Sequence, residues 1–538
     1  MRSPVDRSDV ACALGLSLLT ILSRLPYRTG LLYNWDAVQF ALALRDYDIE
    51  KHQPHPPGYI LYVVLGRALY AWLRDANATY VTLAVVFSGL TTFVVYLLAR
   101  RMFDRATAVG AAALLAVSPL FWFYGSVGLT YAGEALAASA VAYLTFRYLQ
   151  DSGRSAVLPA VVLGLAGGVR QSILVVLFPL WLGATLWKVR RVGPIIGGLC
   201  LLTLTVLSWF VPMVWLTGGL HRYAAASIRL AEYMVIPTTV GRTSIEITLA
   251  QARHVLESVV VGLGPLALVA VALPAYVRRR GLGRREWFLV AWTVPPVLVY
   301  VLVHFGQAGY VLTFLPALVI LLTRVLLVTV CGEWLAGRAR VVAPALAVLL
   351  IVLINGSFFV NAKPMLREGT PGWQRRVTEE ANAWIWSRTA AALQEHEGTV
   401  RTFVDAIRGL YQSDETAIIT EVGNPRSYAW LRHAMFYLPE YPIYQLQVGD
   451  EPLSVYAPRL ATSILASPGS RIRVPAGVKR LVWFVDRWGG APQPPGLVEI
   501  ELPYGRYLYA LRVGREPVHY AGYTFVPDRR TRAVRQQG

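Results

Sequence analysis

Runs of about 20 consecutive apolar residues recur from the N-terminus to residue 361, and that is the length of helix needed to cross roughly 30 Å of hydrocarbon. A backbone in lipid finds no water for its N–H and C=O groups, so runs of this kind fold as helices. Composition agrees: 55% of the 538 residues are hydrophobic and 15% are charged, where soluble domains carry nearer 25% charge. From Arg375 onward the runs stop and charge returns to a soluble density. The chain therefore reads as a polytopic α-helical membrane protein, with a membrane domain over 1–361 and a C-terminal domain over 362–538.

The net charge of +19 could suggest a nucleic-acid partner, but its distribution argues against one. Much of it sits in short clusters between apolar runs: Arg2/Arg7, Arg100/Arg101/Arg105, Arg154, Lys188/Arg190/Arg191, Arg278–Arg280 with Arg284/Arg285, and Arg338/Arg340. That is the pattern of cytoplasmic loops. If every cluster is cytoplasmic, an even number of crossings separates each from the next. A first span ending at Ser23-Arg24-Leu25-Pro26, followed by runs at 79–99, 107–124, 132–149, 157–169, 172–187, 194–216, 256–277, 286–304, 310–330 and 341–361, satisfies this. The stretch Gly58–Leu73 then must not span. It is short and carries Arg67, so an interfacial helix with Arg67 and Arg74 on its wet face fits better.

The expectation is about eleven transmembrane helices plus juxtamembrane ones. The N-terminus is cytoplasmic and uncleaved, in an inner (plasma) membrane of bacterial type, and the C-terminal domain is extracytoplasmic. The loops 28–78, 125–131, 217–255 and 305–309 share that outer side. The three cysteines, Cys12, Cys200 and Cys331, form neither a disulfide framework nor a CxxC metal pattern.

The C-terminal domain reads as a small α/β fold. A helix is expected over 373–396 and another over Pro425–Leu438. Strands are expected at Thr416–Val422, Ile443–Val448, Arg480–Val485, Val498–Pro503 and Arg506–Val513. No GxGxxG or GxxxxGK[ST] loop is present, and the basic end, Asp528–Gly538, reads as loose.

Residues with chemical capacity concentrate in the outer loops. Asp36, after Asn34-Trp35, is an acid at the membrane surface, able to take a proton from an attacking hydroxyl or amine. Equally, Asn34 or Asp36 could cap a short helix over 36–45. His55, in the stiff His55-Pro56-Pro57-Gly58 corner, could bind phosphate or orient an acid, or could simply satisfy a turn. Glu134 follows Tyr131 at the start of an apolar run, and Arg170 interrupts another at Gly167-Gly168-Val169-Arg170-Gln171. They could pair with each other. Otherwise Arg170, with its planar fork, suits a lipid phosphate. The loop 217–255 carries Arg222 and Arg229 on an apparent amphipathic helix, which as readily reads as solvated charge. Gln307 and Tyr310 lie in a tight turn able to offer backbone N–H groups to an anion.

Taken in order, these features resemble the GT-C class of membrane glycosyltransferases, in the branch of protein O-mannosyltransferases and lipid A aminoarabinose transferases. The matching residues are Asp36 after the first span, the corner His55–Gly58, Tyr131 with Glu134, Gly167–Arg170, and Gly309-Tyr310 with Pro316. The likeness runs over residues 9–330, and the aminoarabinose transferases also end in an outer soluble domain. The resemblance implies a polyprenyl-phosphate sugar donor and an acceptor that is a lipid, glycan or protein. It also implies Asp36 as general base, inversion at the anomeric carbon and departure of the lipid phosphate.

Two departures stand out. Ala37 follows Asp36 where many relatives pair two acids, which weakens a metal proposal without excluding a divalent cation. Gln307 stands where relatives often carry a basic residue, leaving the phosphate charge to Arg170, Arg222 or Arg229. No other cofactor is expected. A transporter or flippase would favour inverted repeats and interrupted mid-membrane helices, and no repeated halves are seen. A non-catalytic envelope assembly protein is the other alternative.

Overall fold

The computed structural model describes residues 5–151, 155–188, 192–362, 383–422, 430–448, 463–466, 469–485, 488, 492–503, 506–514 and 516–527. Arg154, Arg190, Arg191, the first part of the expected 373–396 helix, residues 425–429 and the basic end lie outside them. The chain forms two compact units, one of residues 1–29 and 57–394, the other of residues 30–56 and 395–538. The loop 30–56 packs with the C-terminal residues.

The helices are α1 (Arg7–Arg24), α2 (Trp35–Ala43), α3 (Ile60–Leu73), α4 (Ala76–Met102), α5 (Arg105–Ala116), α6 (Pro119–Tyr124), α7 (Tyr131–Gln150) and α8 (Val157–Val169). They continue with α9 (Ser172–Lys188), α10 (Val192–Leu216), α11 (Leu220–Met234), α12 (Ile245–Leu263), α13 (Leu273–Arg280), α14 (Arg284–Leu302), α15 (Leu315–Val325) and α16 (Gly337–Asn361). The expected spans fall on helical segments along most of their length, the run 107–124 being divided at Val117-Ser118 and the run 286–304 extending past the end of α14 at Leu302. Among the described residues six helical rods are long and apolar enough to cross a membrane: Arg7–Tyr27, Ala76–Met102, Val192–Leu216, Ile245–Arg280, Arg284–Leu302 and Gly337–Asn361.

Local chemistry sets the helix ends. Asp75 and Asp104 cap α4 and α5, their side chains accepting from the N–H groups of Ala78 and Thr107. Arg100 and Arg101 stand in the last turn of α4, where the helix dipole favours cations. The 107–124 run is not one helix: Ser118 caps a new one at Pro119. In the larger unit α4 packs against α1, α5 and α7. Asp9 of α1 is buried and bonded to Arg100 Nε (2.9 Å) and Tyr96 Oη (3.1 Å). Leu14, Leu18 and Leu19 of α1 and Val341 and Leu353 of α16 stay exposed, an apolar surface suited to lipid rather than water. Helix α3 is one of several shorter apolar helices, with α5, α8, α9 and α15, and its Arg67 and Arg74 are both exposed.

The smaller unit holds a six-stranded sheet of order β3-β2-β1-β5-β7-β6 and a three-stranded sheet of order β4-β9-β8. The strands are β1 (Thr416–Val422), β2 (Ile443–Gln447), β3 (Ser463–Ala466), β4 (Arg471–Val474), β5 (Arg480–Trp483), β6 (Leu497–Leu502), β7 (Arg506–Arg512), β8 (Val518–Tyr520) and β9 (Tyr523–Pro527). β1 runs parallel to β2 and β5, with Ile418 opposite Ile443 and Ala417 opposite Leu481. The parallel step from β1 to β2 needs a crossover, and the helix Trp430–Tyr437 lies within it.

Alternation along β1 divides two cores. Ile418 packs with Val400, Phe403 and Ile407 of the helix Ala390–Leu410. Ala417 and Ile419 pack with Trp483, Tyr520 and Phe525 towards the second sheet. All five expected strands are present, and among the described residues β3, β4, β8 and β9 join them. The expected 373–396 helix breaks between Trp386 and Ala390, and the second piece runs on to Leu410.

Candidate functional site

Asn34 settles which side chain caps α2. Its backbone is extended, and its side-chain oxygen accepts the Ala37 N–H at 3.0 Å. Asp36, one residue inside the helix, is thereby left out of capping. Asp36 and Gln39 stand three apart, so they share one helix face. The loop returns His55 to that face: its Nδ1 lies 2.6 Å from Gln39 Oε1 and 3.8 Å from Asp36 Oδ1. Both neighbours are acceptors, so Nδ1 carries its hydrogen. The Phe40 ring stands 5.9 Å from the imidazole. The loop itself is closed by reciprocal backbone bonds between Asp48 and Gln53, 2.7 and 2.8 Å, and Asp48 accepts from Glu50 N–H and Lys51 N–H. The side chain of Asp36 keeps 28% of its surface open to solvent.

In the larger unit, Glu134 and Arg170 come together. Glu134 stands in the first turn of α7, and Arg170 is the extended residue between α8 and α9. Arg170 Nη1 donates to Glu134 Oε1 at 2.7 Å, and Thr130 Oγ1 donates to the same oxygen at 2.8 Å. Glu134 is buried, while 10% of the Arg170 side chain remains exposed. The guanidinium carbon lies 4.4 Å from the ring centre of Tyr310, 5.1 Å from Tyr131 and 6.0 Å from Tyr59, a cation–π cage.

Two backbone features build this cage. Tyr59 adopts left-handed φ of 46°, a cost that a non-glycine residue bears only where surroundings enforce it. Gly309 lies against the Tyr131 ring so closely that an added Cβ would sit 2.5 Å from it. Gln171 Nε2 bonds Pro57 O at 3.1 Å and Tyr223 Oη at 3.2 Å, fastening the corner to α11. Near the cage His304 bonds Thr238 Oγ1 at 3.1 Å.

Residues 49–191 match the family model described as the protein O-mannosyl-transferase TMEM260 N-terminal domain. No curated protein matches the chain. Among solved structures, ArnT from Cupriavidus metallidurans bound to undecaprenyl phosphate is similar at 14% identity, covering 93% of this chain and 97% of that one, with a TM-score of 0.55. The apo state of the same protein matches at 15% identity, over 81% of this chain and 85% of that one, with a TM-score of 0.53.

The fold is similar to that of ArnT. The family match over 49–191 includes His55, Tyr131, Glu134 and Arg170, and Asp36 precedes it. Of the GT-C site residues expected from sequence, Asp36 and His55 meet in the smaller unit, and Glu134, Arg170 and Tyr310 meet in the larger. Arg222 and Arg229 are exposed on α11, and no ion pair or hydrogen bond joins them to Arg170 among the described residues. Gln307 precedes the turn Ala308–Thr313, with its carbonyl accepting from Tyr310 N–H at 3.1 Å.

Sequence reasoning passed over Gln39, Thr130 and Tyr59. Gln39 was legible from its spacing to Asp36, and Thr130 from its position four before Glu134. The backbone conformation of Tyr59 left no sequence signal beyond the preceding Gly58. Among the described residues no three His, Cys, Asp or Glu side chains gather as a metal cluster.

Proposed function

We propose that the chain is an inverting glycosyltransferase that moves a sugar from a polyprenyl-monophosphate carrier to an acceptor at the outer face of the membrane. The observation that carries this reading is the Asp36 carboxylate, released from capping by Asn34 and set against His55. The acceptor hydroxyl or amine attacks the anomeric carbon and gives its proton to Asp36. The bond from that carbon to the phosphate oxygen breaks as the new bond forms, and its electron pair leaves with the polyprenyl phosphate. His55, bonded to Gln39, stands 3.8 Å from the carboxylate, near enough to favour its charged form when the imidazole is protonated.

Arg170 holds the phosphate. Its Nη1 is fixed by Glu134, and no described residue hydrogen-bonds Nε or Nη2, so that edge of the fork is available to phosphate oxygens. Glu134 thus acts by orienting Arg170. The leaving group is already a good one, so positioning and charge neutralisation supply much of the catalysis. Tyr310 and Gln307 line the same region, and Arg222 and Arg229 attract the anionic lipid. The carrier bound in the similar ArnT structure supports a polyprenyl phosphate. The basic clusters support a cytoplasmic N-terminus, with a membrane domain over 1–361 and an extracytoplasmic domain over 362–538.

The test is Asp36→Asn in purified protein, assayed with a panel of polyprenyl-phosphate sugars. Loss of the base lowers turnover by about 10²–10⁴-fold. Transfer by this variant at the wild-type rate removes Asp36 from the role.

A further inference from the structure

Two side chains of the helix Trp430–Tyr437 hold the backbone of Leu32, four residues before Asp36. Tyr437 Oη accepts the Leu32 N–H at 2.9 Å, and His433 Nε2 donates to the Leu32 carbonyl at 3.0 Å. A third, Arg432, donates from Nη2 to the carbonyl of Lys51 at 2.8 Å, on the far side of α2. Its guanidinium carbon also stands 5.3 Å from the ring centre of Trp35, the neighbour of Asp36. Two residues before Leu32, Gly30 N–H donates to the Glu397 carboxylate at 2.7 Å, and the Tyr33 ring lies 4.8 Å from that of His396.

Both Arg432 and His433 are fully buried. Burying such groups is costly unless they are bonded; Arg432 Nη2 and His433 Nε2 each bond a loop carbonyl, while Arg432 Nε and Nη1 find no hydrogen-bond partner among the described residues. Leu31, Trp35 and Leu42 add apolar contact with the core that contains Leu431, Met435 and Phe403. Helix α2 is short and lies between loops, so little else in the chain's local sequence would fix its direction.

We infer that the C-terminal domain positions Asp36, through His433, Tyr437 and Arg432, by gripping the loop 30–56 on both sides of α2. This rests on the reading of Asp36 as the base. Tyr437, His433 and Arg432 are positioning residues that touch no substrate. They fix the direction of the carboxylate towards the acceptor while leaving donor binding alone. A mispositioned base lowers kcat and leaves the donor KM close to its wild-type value.

The test uses the full chain in lipid nanodiscs, with amide hydrogen exchange over residues 31–45 and sugar-transfer kinetics measured on the same samples. Tyr437→Phe keeps the ring and removes the acceptor. It raises exchange at Leu32 and its neighbours by about 5-fold, the equivalent of one net hydrogen bond, and lowers kcat with the donor KM unchanged. His433→Ala does the same more strongly, and His433→Gln, which restores a donor, recovers part of both. Unchanged exchange in Tyr437→Phe and His433→Ala overturns the grip. Faster exchange with unchanged kcat, in an enzyme that Asp36→Asn inactivates, overturns the positioning role while leaving the base intact. If Asp36→Asn is fully active, the reading of the base fails instead, and exchange still decides whether the grip exists.

Discussion

Replacing Glu134 by Ala leaves Arg170 as an uncompensated cation in a site where Glu134 is buried and only 10% of the Arg170 side chain reaches solvent. Breaking a buried pair in this way costs about 3–5 kcal/mol, more than a hundredfold in the ratio of folded to unfolded protein. Glu134→Gln keeps an oxygen for the donors Arg170 Nη1 and Thr130 Oγ1, 2.7 and 2.8 Å away, and loses only the charge, so it costs less. The decisive variant is the double one, Glu134→Ala with Arg170→Met. It removes the orphaned cation and fills the space between Tyr131 and Tyr310 with a side chain suited to aromatic contact. The expected order of stability is wild type, Glu134→Gln, the double variant, then Glu134→Ala. Unfolding midpoints in denaturant, followed in detergent by tryptophan fluorescence, measure it. If Glu134→Ala proves at least as stable as the double variant, Arg170 does not depend on Glu134 and the argument from burial is wrong.

Gly309→Ala forces a Cβ to 2.5 Å from the Tyr131 ring; overpacking of this kind costs about 1–3 kcal/mol. The displaced ring disturbs the cage around Arg170, so the variant raises the donor KM, and an unaltered KM in transfer kinetics would count against the cage as a phosphate site. A pH effect comes from His396, held down to about 3 by burial and by the neighbouring His433. In the unfolded chain this imidazole binds a proton near pH 6.5 that the folded form refuses until about 3. Its stabilising contribution is therefore complete above pH 6.5 and is lost as pH falls from there towards 3, by at most about 1.4 kcal/mol per pH unit. Denaturant midpoints at several pH values show this slope, and His396→Gln flattens it; identical profiles for the two proteins exclude the effect.

Much of the helical architecture was legible because the membrane imposes one length and one kind of backbone pairing. The expected run 79–99 lies within α4, bounded by the cap Asp75 and the basic pair Arg100/Arg101. Side-chain roles were harder, since sequence holds both members of a contact without showing that they meet. Asn34 and Asp36 were equal candidates for the cap, and only the extended backbone at Asn34 separates them. Glu134 and Arg170, 36 positions apart, could pair or act alone, and the 2.7 Å bond joins them.

The packing of 30–56 with the C-terminal residues was not visible at all. Leu31, Trp35 and Leu42 are apolar residues beside a span, and apolar character says that they are buried without saying against what. Of the strands, β3, β4 and β8 have only 4, 4 and 3 residues, too short for an alternating pattern to stand above the surrounding loops.

The central claim concerns a bond: a sugar leaves polyprenyl phosphate and arrives, inverted, on an acceptor. Purified protein in nanodiscs, given polyprenyl-phosphate sugars of known anomeric configuration, is assayed by mass spectrometry for released polyprenyl phosphate and by NMR for the configuration of the product. The account predicts one polyprenyl phosphate released per sugar transferred, with the opposite anomeric configuration in the product. A product of retained configuration, or turnover that leaves every polyprenyl-phosphate sugar intact, would contradict it.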